Sequence, residues 1–390
     1  MRILLLTFSD ILPFALTKVL NPANDYCAIV VDEPEISKKM FEDVPQIRDK
    51  IFPFYELREC IANLNYDLLL CVNDLRTQNI WQLLKSYGLP AEKFLHVSFA
   101  NNKENFSMLE KENFLLLERA LRYYKEHSAE FEIFTTGTSF VRVSIDTNRF
   151  TRRNFNFAVS SQDLYYDYKI AQFIFNECEN KNLKYALIGI TPFVFHYDVT
   201  RHYSCSFRLF QYLIAFNDLH NFPITLDKYR NRFNEDFLNT KLDFSGITVE
   251  SVLGTPLPMQ SFTPQSRMFQ RSYVELFSQR DGYPETCQEY VKILDDYLTL
   301  CEKNNVRPVI FTPPITYCYK KYSNPKILDE FYVLMSESQK KHTSAVFFDG
   351  WKSDGFSDEY FYDVGHMNIK GAAKFSTLLN GVIEELERKS

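Results

Sequence analysis

Two short stretches, far apart in the chain, carry the residue types of nucleophilic acyl chemistry. The first is Phe131-Glu-Ile-Phe-Thr-Thr-Gly137-Thr-Ser139-Phe-Val-Arg142. An apolar run feeds a glycine, which permits a tight turn. A serine follows at what reads as the carboxyl end of a strand, with a helix start behind it. Open parallel sheets bind ligands at that end, and the N–H groups of a helix start suit a developing oxyanion. Taken alone, Ser139 reads more simply as a helix cap. The second stretch is Glu359-Tyr-Phe-Tyr-Asp363-Val-Gly-His366, ahead of Gly371 and a closing amphipathic run. Asp-x-x-His lets one turn bring a carboxylate to the imidazole Nδ1–H, which fixes the tautomer and leaves Nε2 as a general base. Taken alone, this is a surface turn holding one of seven histidines.

Together and in this order, the two blocks resemble those of the SGNH (GDSL-like) hydrolases. That superfamily keeps its serine in an N-terminal Gly-x-Ser block and ends on Asp-x-x-His before its last helix. The resemblance makes Ser139 the nucleophile and Asp363 and His366 its acid–base partners. A middle block, Asn156-Phe-Ala-Val-Ser160-Ser161-Gln162-Asp163, resembles the family's second block, with Ser161 where a glycine is usual. It implies a backbone oxyanion donor at Ser161. The family's Gly-x-Asn-Asp block is absent. In its place stands Gly189-Ile-Thr191-Pro192, so Thr191 or Gln162 is expected to donate instead, or backbone groups alone. Branches that modify bacterial glycans and envelope polymers, including the D-alanyl-transfer proteins of teichoic acid synthesis, also lack this Asn. The likeness covers about residues 131–386 without an insertion. It implies a carbohydrate O-acyl, foremost O-acetyl, esterase or acyltransferase acting on a saccharide or glycan. It calls for no cofactor or metal, although an acyl-CoA could serve as acyl donor. Water and a sugar hydroxyl remain open as acceptors. The alternative is a non-catalytic binding or assembly protein on the same fold.

The elements that must position these residues alternate between strand and helix. Strands are expected at Arg2–Thr7, Cys27–Val31, Tyr66–Val72 and Phe94–Val97, with helices between, such as Glu56–Asn63 and Thr77–Tyr87. This alternation argues a parallel sheet in a small Rossmann-like domain over 1–100. Phe8-Ser9-Asp10 follows its first strand in place of Gly-x-Gly, which counts against a dinucleotide. Residues 101–130 are expected to be a helical connector, with a long helix from Asn101 to His127. From Phe131 the rhythm restarts, with strands at Phe131–Thr135, Asn156–Val159, Tyr185–Ile190, Val306–Thr312 and Ala345–Phe348. Helices are expected at Leu164–Cys178 and Gly371–Leu386. The fold class is therefore α/β. The resemblance makes residues 131–390 a three-layer, flavodoxin-like catalytic domain with a mainly parallel sheet. Between about 204 and 270 the rhythm breaks and prolines recur, which suggests an insertion covering the site.

A net charge of −6 on 390 residues, with no basic stripe, argues against a nucleic-acid partner. The short cluster Arg149, Arg152, Arg153 reads as a solvated loop, with an anion contact as the sharper alternative. Phe and Tyr number 36 and 24; they serve a packed core, a sugar-binding groove, or both. Eight cysteines, none in a CxxC, read as reduced thiols. The apolar start contains Asp10 and Pro13 and makes a poor signal peptide. No apolar run is long enough to span a bilayer, and the expected location is the cytoplasm. His196-x-Asp198-x-x-x-His202 has the letters of a metal site but no known metal spacing, and reads as a polar loop. Asp349-Gly350 reads as a turn, although Asp349 competes on paper with Asp363.

Overall fold

A computed structural model describes residues 1–73, 80–90, 93–98, 116–201, 208–222, 224–235, 274 and 284–389. The chain divides into two compact units, Met1–Leu116 with Val199–Ser245, and Leu117–Asp198 with Gly246–Ser390. Among the described residues no helix is long and apolar enough to cross a membrane.

The first unit is built on β1 (Arg2–Thr7), β2 (Asp25–Val31), β3 (Ile51–Pro53), β4 (Leu68–Asn73) and β5 (Phe94–Ser98). They form one sheet in the order β3-β2-β1-β4-β5, with every pair parallel. The central strands are unbroken apolar runs, as a sheet covered on both faces requires; Ile3–Leu6, Ala28–Val31 and Leu68–Val72 are buried. The turn after β1 is closed by the protein's own carboxylate. Ser9 N–H donates to Asp32 Oδ1 at 2.8 Å and Ser9 Oγ to Glu33 O at 2.9 Å. An amide that a nucleotide-binding turn would offer to phosphate is thus used internally.

The segment expected to cover the catalytic domain instead belongs in part to this first unit. Residues 199–245 group with it. Leu20 forms an antiparallel bridge with Phe233. Asn21 N–H donates to Arg232 O at 2.6 Å, and Asn234 N–H to Val19 O at 2.7 Å. The aromatic residues of this segment pack on one another: Phe210 and Phe233 sit 5.2 Å apart, and Tyr229 and Phe233 5.3 Å. The rest of the expected insertion, from 236 to 270, lies outside the described residues, as do positions 101–115 of the connector. The helix that follows them runs Leu116–His127.

The second unit contains β6 (Ile133–Thr136), β7 (Asn154–Asn156), β8 (Tyr185–Gly189), β9 (Arg307–Thr312) and β10 (Val346–Asp349). Its sheet, also parallel throughout, has the order β10-β9-β8-β6-β7. Counted within the unit this is 2-1-3-4-5, whose reversal lies between β6 and its neighbours. Alternate residues of a strand face opposite sides, and both sides are covered. Ile133, Leu187, Val309 and Phe311 pack with Val141, Phe375, Leu379 and Ile383 of the helices Ser139–Ser144 and Ile369–Lys389. The opposite parity meets the helices Leu164–Glu177 and Pro284–Lys303. Phe134 lies 6.0 Å from Phe175, and Thr136 Oγ1 lies 3.1 Å from Tyr297 Oη.

Candidate active site

Gly137 leaves β6 at φ +147°. A Cβ there would come 2.6 Å from Gly189 O and 2.5 Å from Val141 Cγ2, so this turn accepts only glycine. Thr138 stays extended, and Ser139 begins a six-residue helix. As its first residue, Ser139 carries an N–H that no helical carbonyl can reach. The serine therefore stands beyond the carboxyl end of β6, at the sheet's reversal, where open α/β sheets bind ligands.

The partner loop is built by Asn368. Its Oδ1 accepts from Lys370 N and Gly371 N at 3.0 and 3.1 Å, which caps the closing helix. Its amide donates to Glu359 O at 2.8 Å and Phe361 O at 3.4 Å. One buried side chain thus folds residues 359–368 into a hairpin, which Phe361 and Met367 close with an antiparallel bridge. Thr316 Oγ1 donates to Val364 O at 2.6 Å and moors the tip to the loop after β9.

The structure brings the three residues of the two blocks together. His366 Nε2 lies 2.9 Å from Ser139 Oγ. His366 Nδ1 lies 2.9 Å from Asp363 Oδ2 and 3.0 Å from Oδ1. Asp363 Oδ1 also accepts the N–H groups of Gly365 and His366, each at 2.8 Å. An imidazole protonated on Nδ1 satisfies both contacts and leaves Nε2 to accept the serine proton. Burial pushes the Asp363 carboxyl up, but the His366 hydrogen bond and charge and the two backbone N–H groups outweigh it and hold it below its ordinary value. Asp363 stays the anion the ring needs.

Phe140 fixes the ring plane. It stacks on His366 with centroids 4.9 Å apart and planes 20° apart. Its edges meet Tyr319 at 5.8 Å and Phe193 at 6.1 Å. Gly365 lies so close that a Cβ would sit 2.4 Å from Phe140 Cε1. A ring held on three sides cannot yield cheaply. Gly365→Ala is expected to cost about 1–3 kcal/mol by overpacking, seen as a lower urea midpoint with an unchanged slope. An unaltered midpoint would mean that Phe140 is not held as described.

Ser161 adopts φ +61°, the left-handed region, which explains why the resembling block carries glycine there. Tyr197 Oη donates to its carbonyl at 3.1 Å. Its loop lies beside the nucleophile turn: Phe157 N–H donates to Thr135 O at 2.8 Å and Val159 N–H to Gly137 O at 3.2 Å. Gln162 is directed elsewhere than expected. It is fully buried, and its amide donates to Asp167 Oδ1 at 2.6 Å and Gly137 O at 3.3 Å. Both amide hydrogens are committed beneath the turn, so Gln162 supports Gly137 rather than an oxyanion. Burial drives the Asp167 carboxyl well above the usual carboxylate range, against the Gln162 hydrogen bond; the Asp163 charge adds to the rise and the Gly137 N–H opposes it. Thr191 follows β8, next to β6, and its Oγ1 is buried without a partner among the described residues.

The remaining candidates have other employment. Asp349 Oδ1 accepts from Thr312 Oγ1 at 3.0 Å, so it is not the partner of His366. Arg149 pairs with Asp146 at 3.2 Å and Arg153 with Glu130 at 2.7 Å, while Arg152 bonds Glu132 and Glu387. Their charge serves ion pairs, not a ligand. Sequence reasoning missed Asn368, whose signal was an Asn immediately before a helix. It also missed Phe140, for which an apolar residue after the nucleophile is no signal at all.

No family model and no curated protein matches this chain.

Proposed function

We propose that this protein is a serine-dependent O-acyl esterase or acyltransferase, with a second unit of SGNH type and flavodoxin-like sheet order. The observation that carries this reading is the hydrogen-bonded series Ser139–His366–Asp363. Ser139 Oγ attacks the acyl carbonyl carbon as His366 Nε2 takes its proton, and Asp363 balances the imidazolium. The carbonyl electrons pass to oxygen, where the N–H groups of Ser139 and Ser161 receive the charge and Thr191 Oγ1 is the third donor. His366 returns the proton to the departing alkoxide or thiolate. It then deprotonates water or a sugar hydroxyl, which attacks the acyl-serine and frees the enzyme.

The substrate class proposed is an O-acetylated saccharide, or a saccharide acceptor with an activated donor such as an acyl-CoA. Its support is the likeness of the Ser139, Ser161 and Asp363/His366 blocks to glycan-modifying relatives of that type. The test is covalent. A fluorophosphonate should add one equivalent to the peptide carrying Ser139 in folded protein and none in denatured protein, read by mass spectrometry. Acceleration of p-nitrophenyl acetate turnover by a saccharide would favour transfer over hydrolysis. A folded protein that neither takes the label nor turns over the ester would sink the reading.

A further inference from the structure

His196 belonged on paper to a group with Asp198 and His202. His202 lies outside the described residues, and His196 meets different neighbours. It ends the 3₁₀ turn Val194–His196 that follows β8. Its Nε2 lies 2.7 Å from Glu330 Oε2, and Cys287 Sγ donates to Glu330 Oε1 at 3.4 Å. One nitrogen, one sulfur and one carboxylate oxygen, from three separate elements, all lie within 4.8 Å of one another.

From this juxtaposition we infer a second site, independent of the serine reading, that binds a zinc-class divalent cation through His196, Cys287 and Glu330. The donor set is the argument. Imidazole, thiolate and carboxylate are the three side-chain ligands zinc takes, at bond lengths of about 2.0–2.3 Å. Tetrahedral coordination at such lengths separates ligand atoms by roughly 3.4–3.7 Å. The contacts to Glu330 are 2.7 and 3.4 Å and no pair exceeds 4.8 Å, so side-chain rotations can bring the three atoms to that spacing. Harder cations prefer all-oxygen sets. Three protein ligands leave the fourth position for water or a small ligand.

The helix faces that carry two of the three ligands also border a cavity. Val291 lies one helical turn after Cys287, and Leu334 one turn after Glu330, so each shares a helix face with a metal ligand. These two residues, with Phe195 beside His196, line a cavity of about 370 Å³ that Lys292, Lys341, Asp295 and Glu337 also border. A thiol coordinates a metal as the thiolate, so binding must expel a proton to solvent, and affinity must rise with pH.

Titration of chelator-treated full-length protein with Co²⁺, then Zn²⁺, tests the inference. One equivalent of Co²⁺ is expected to give a near-ultraviolet thiolate-to-cobalt band, which Zn²⁺ abolishes by displacement. Calorimetry in two buffers should register proton release. Cys287→Ser should remove the band, and Glu330→Gln, at a half-exposed position, should weaken binding by at least the about 10–100-fold that loss of a supporting group costs. A band that survives Cys287→Ser, or affinity unchanged in Glu330→Gln, would overturn the site, as would no band in the parent protein. Fluorophosphonate labelling of Ser139, read in the same preparation, separates failure here from failure of the hydrolase reading.

Discussion

Ser139→Ala is expected to lower kcat for p-nitrophenyl acetate by about 10⁴–10⁶-fold, the range seen when a nucleophile is removed from a serine–histidine–aspartate unit. Nothing in the packing should change. Among the described residues the hydrogen-bond partner of Ser139 Oγ is His366 Nε2, at 2.9 Å, and alanine suits a first-turn helix position. The variant should keep the parent's urea midpoint while losing turnover and the fluorophosphonate adduct. A residual rate of about 10³ over water is compatible, because binding and the oxyanion donors remain. Parent-level turnover in the variant would place the nucleophile elsewhere.

Asp363→Asn should cost about 10⁴-fold in kcat through a wrong tautomer. The substitution is nearly isosteric, and the Asn Oδ1 can still accept the N–H groups of Gly365 and His366, now at 2.8 Å each. Its Nδ2, however, is a donor facing His366 Nδ1. That face of the ring must become an acceptor, so the proton moves to Nε2, where it points at Ser139. The effect should fall on kcat with KM little altered. Stability provides a second check with a definite sign. The folded carboxyl lies below its ordinary value, so its stabilisation is present above the unfolded pKa, near 3.9, and is lost as pH falls through the lower folded value. The stability gap between parent and variant should narrow below about pH 4. It should be small, since the side chain is 40% exposed. Unreduced activity in Asp363→Asn would show that another group orients His366.

The strands were the most legible part of the sequence. Continuous apolar runs such as Ile3–Leu6 and Leu187–Ile190 have no competing polar pattern, and β1 (Arg2–Thr7) falls on its expected bounds. β3, at Ile51–Pro53, has only three residues and ends in proline, too little for a period-two signal. β7 lies at Asn154–Asn156, two residues before the run Asn156–Val159. There, Asn side chains pair with Thr135 Oγ1 and Ala158 N, so polar residues hold the edge strand and the apolar ones follow it. The site's ends were legible because serine, aspartate and histidine announce chemistry by type. Gln162 was misread because a buried amide and an oxyanion donor look alike in one dimension. Only its contacts with Asp167 and Gly137 separate them. The segment from about 204 misled for a different reason: a broken strand–helix rhythm with recurring prolines does not say which unit a loop packs on, and here Arg232, Phe233 and Asn234 meet Asn21, Leu20 and Val19 of the first unit.

That last placement bears on the order in which the chain can fold as it is synthesised. Leu20 must wait for Phe233 to complete its bridge. At translation rates of about 5–20 residues per second, the wait is roughly 10–40 s. The five strands of the first sheet emerge early, while the strip that ties down the segment after β1 arrives only once β6, β7 and β8 have been made. Each unit is thus interrupted by the other along the nascent chain. Neither can be released as a contiguous fragment with all its contacts intact, and a chaperone binding the early unit would guard the segment after β1 until the strip arrives.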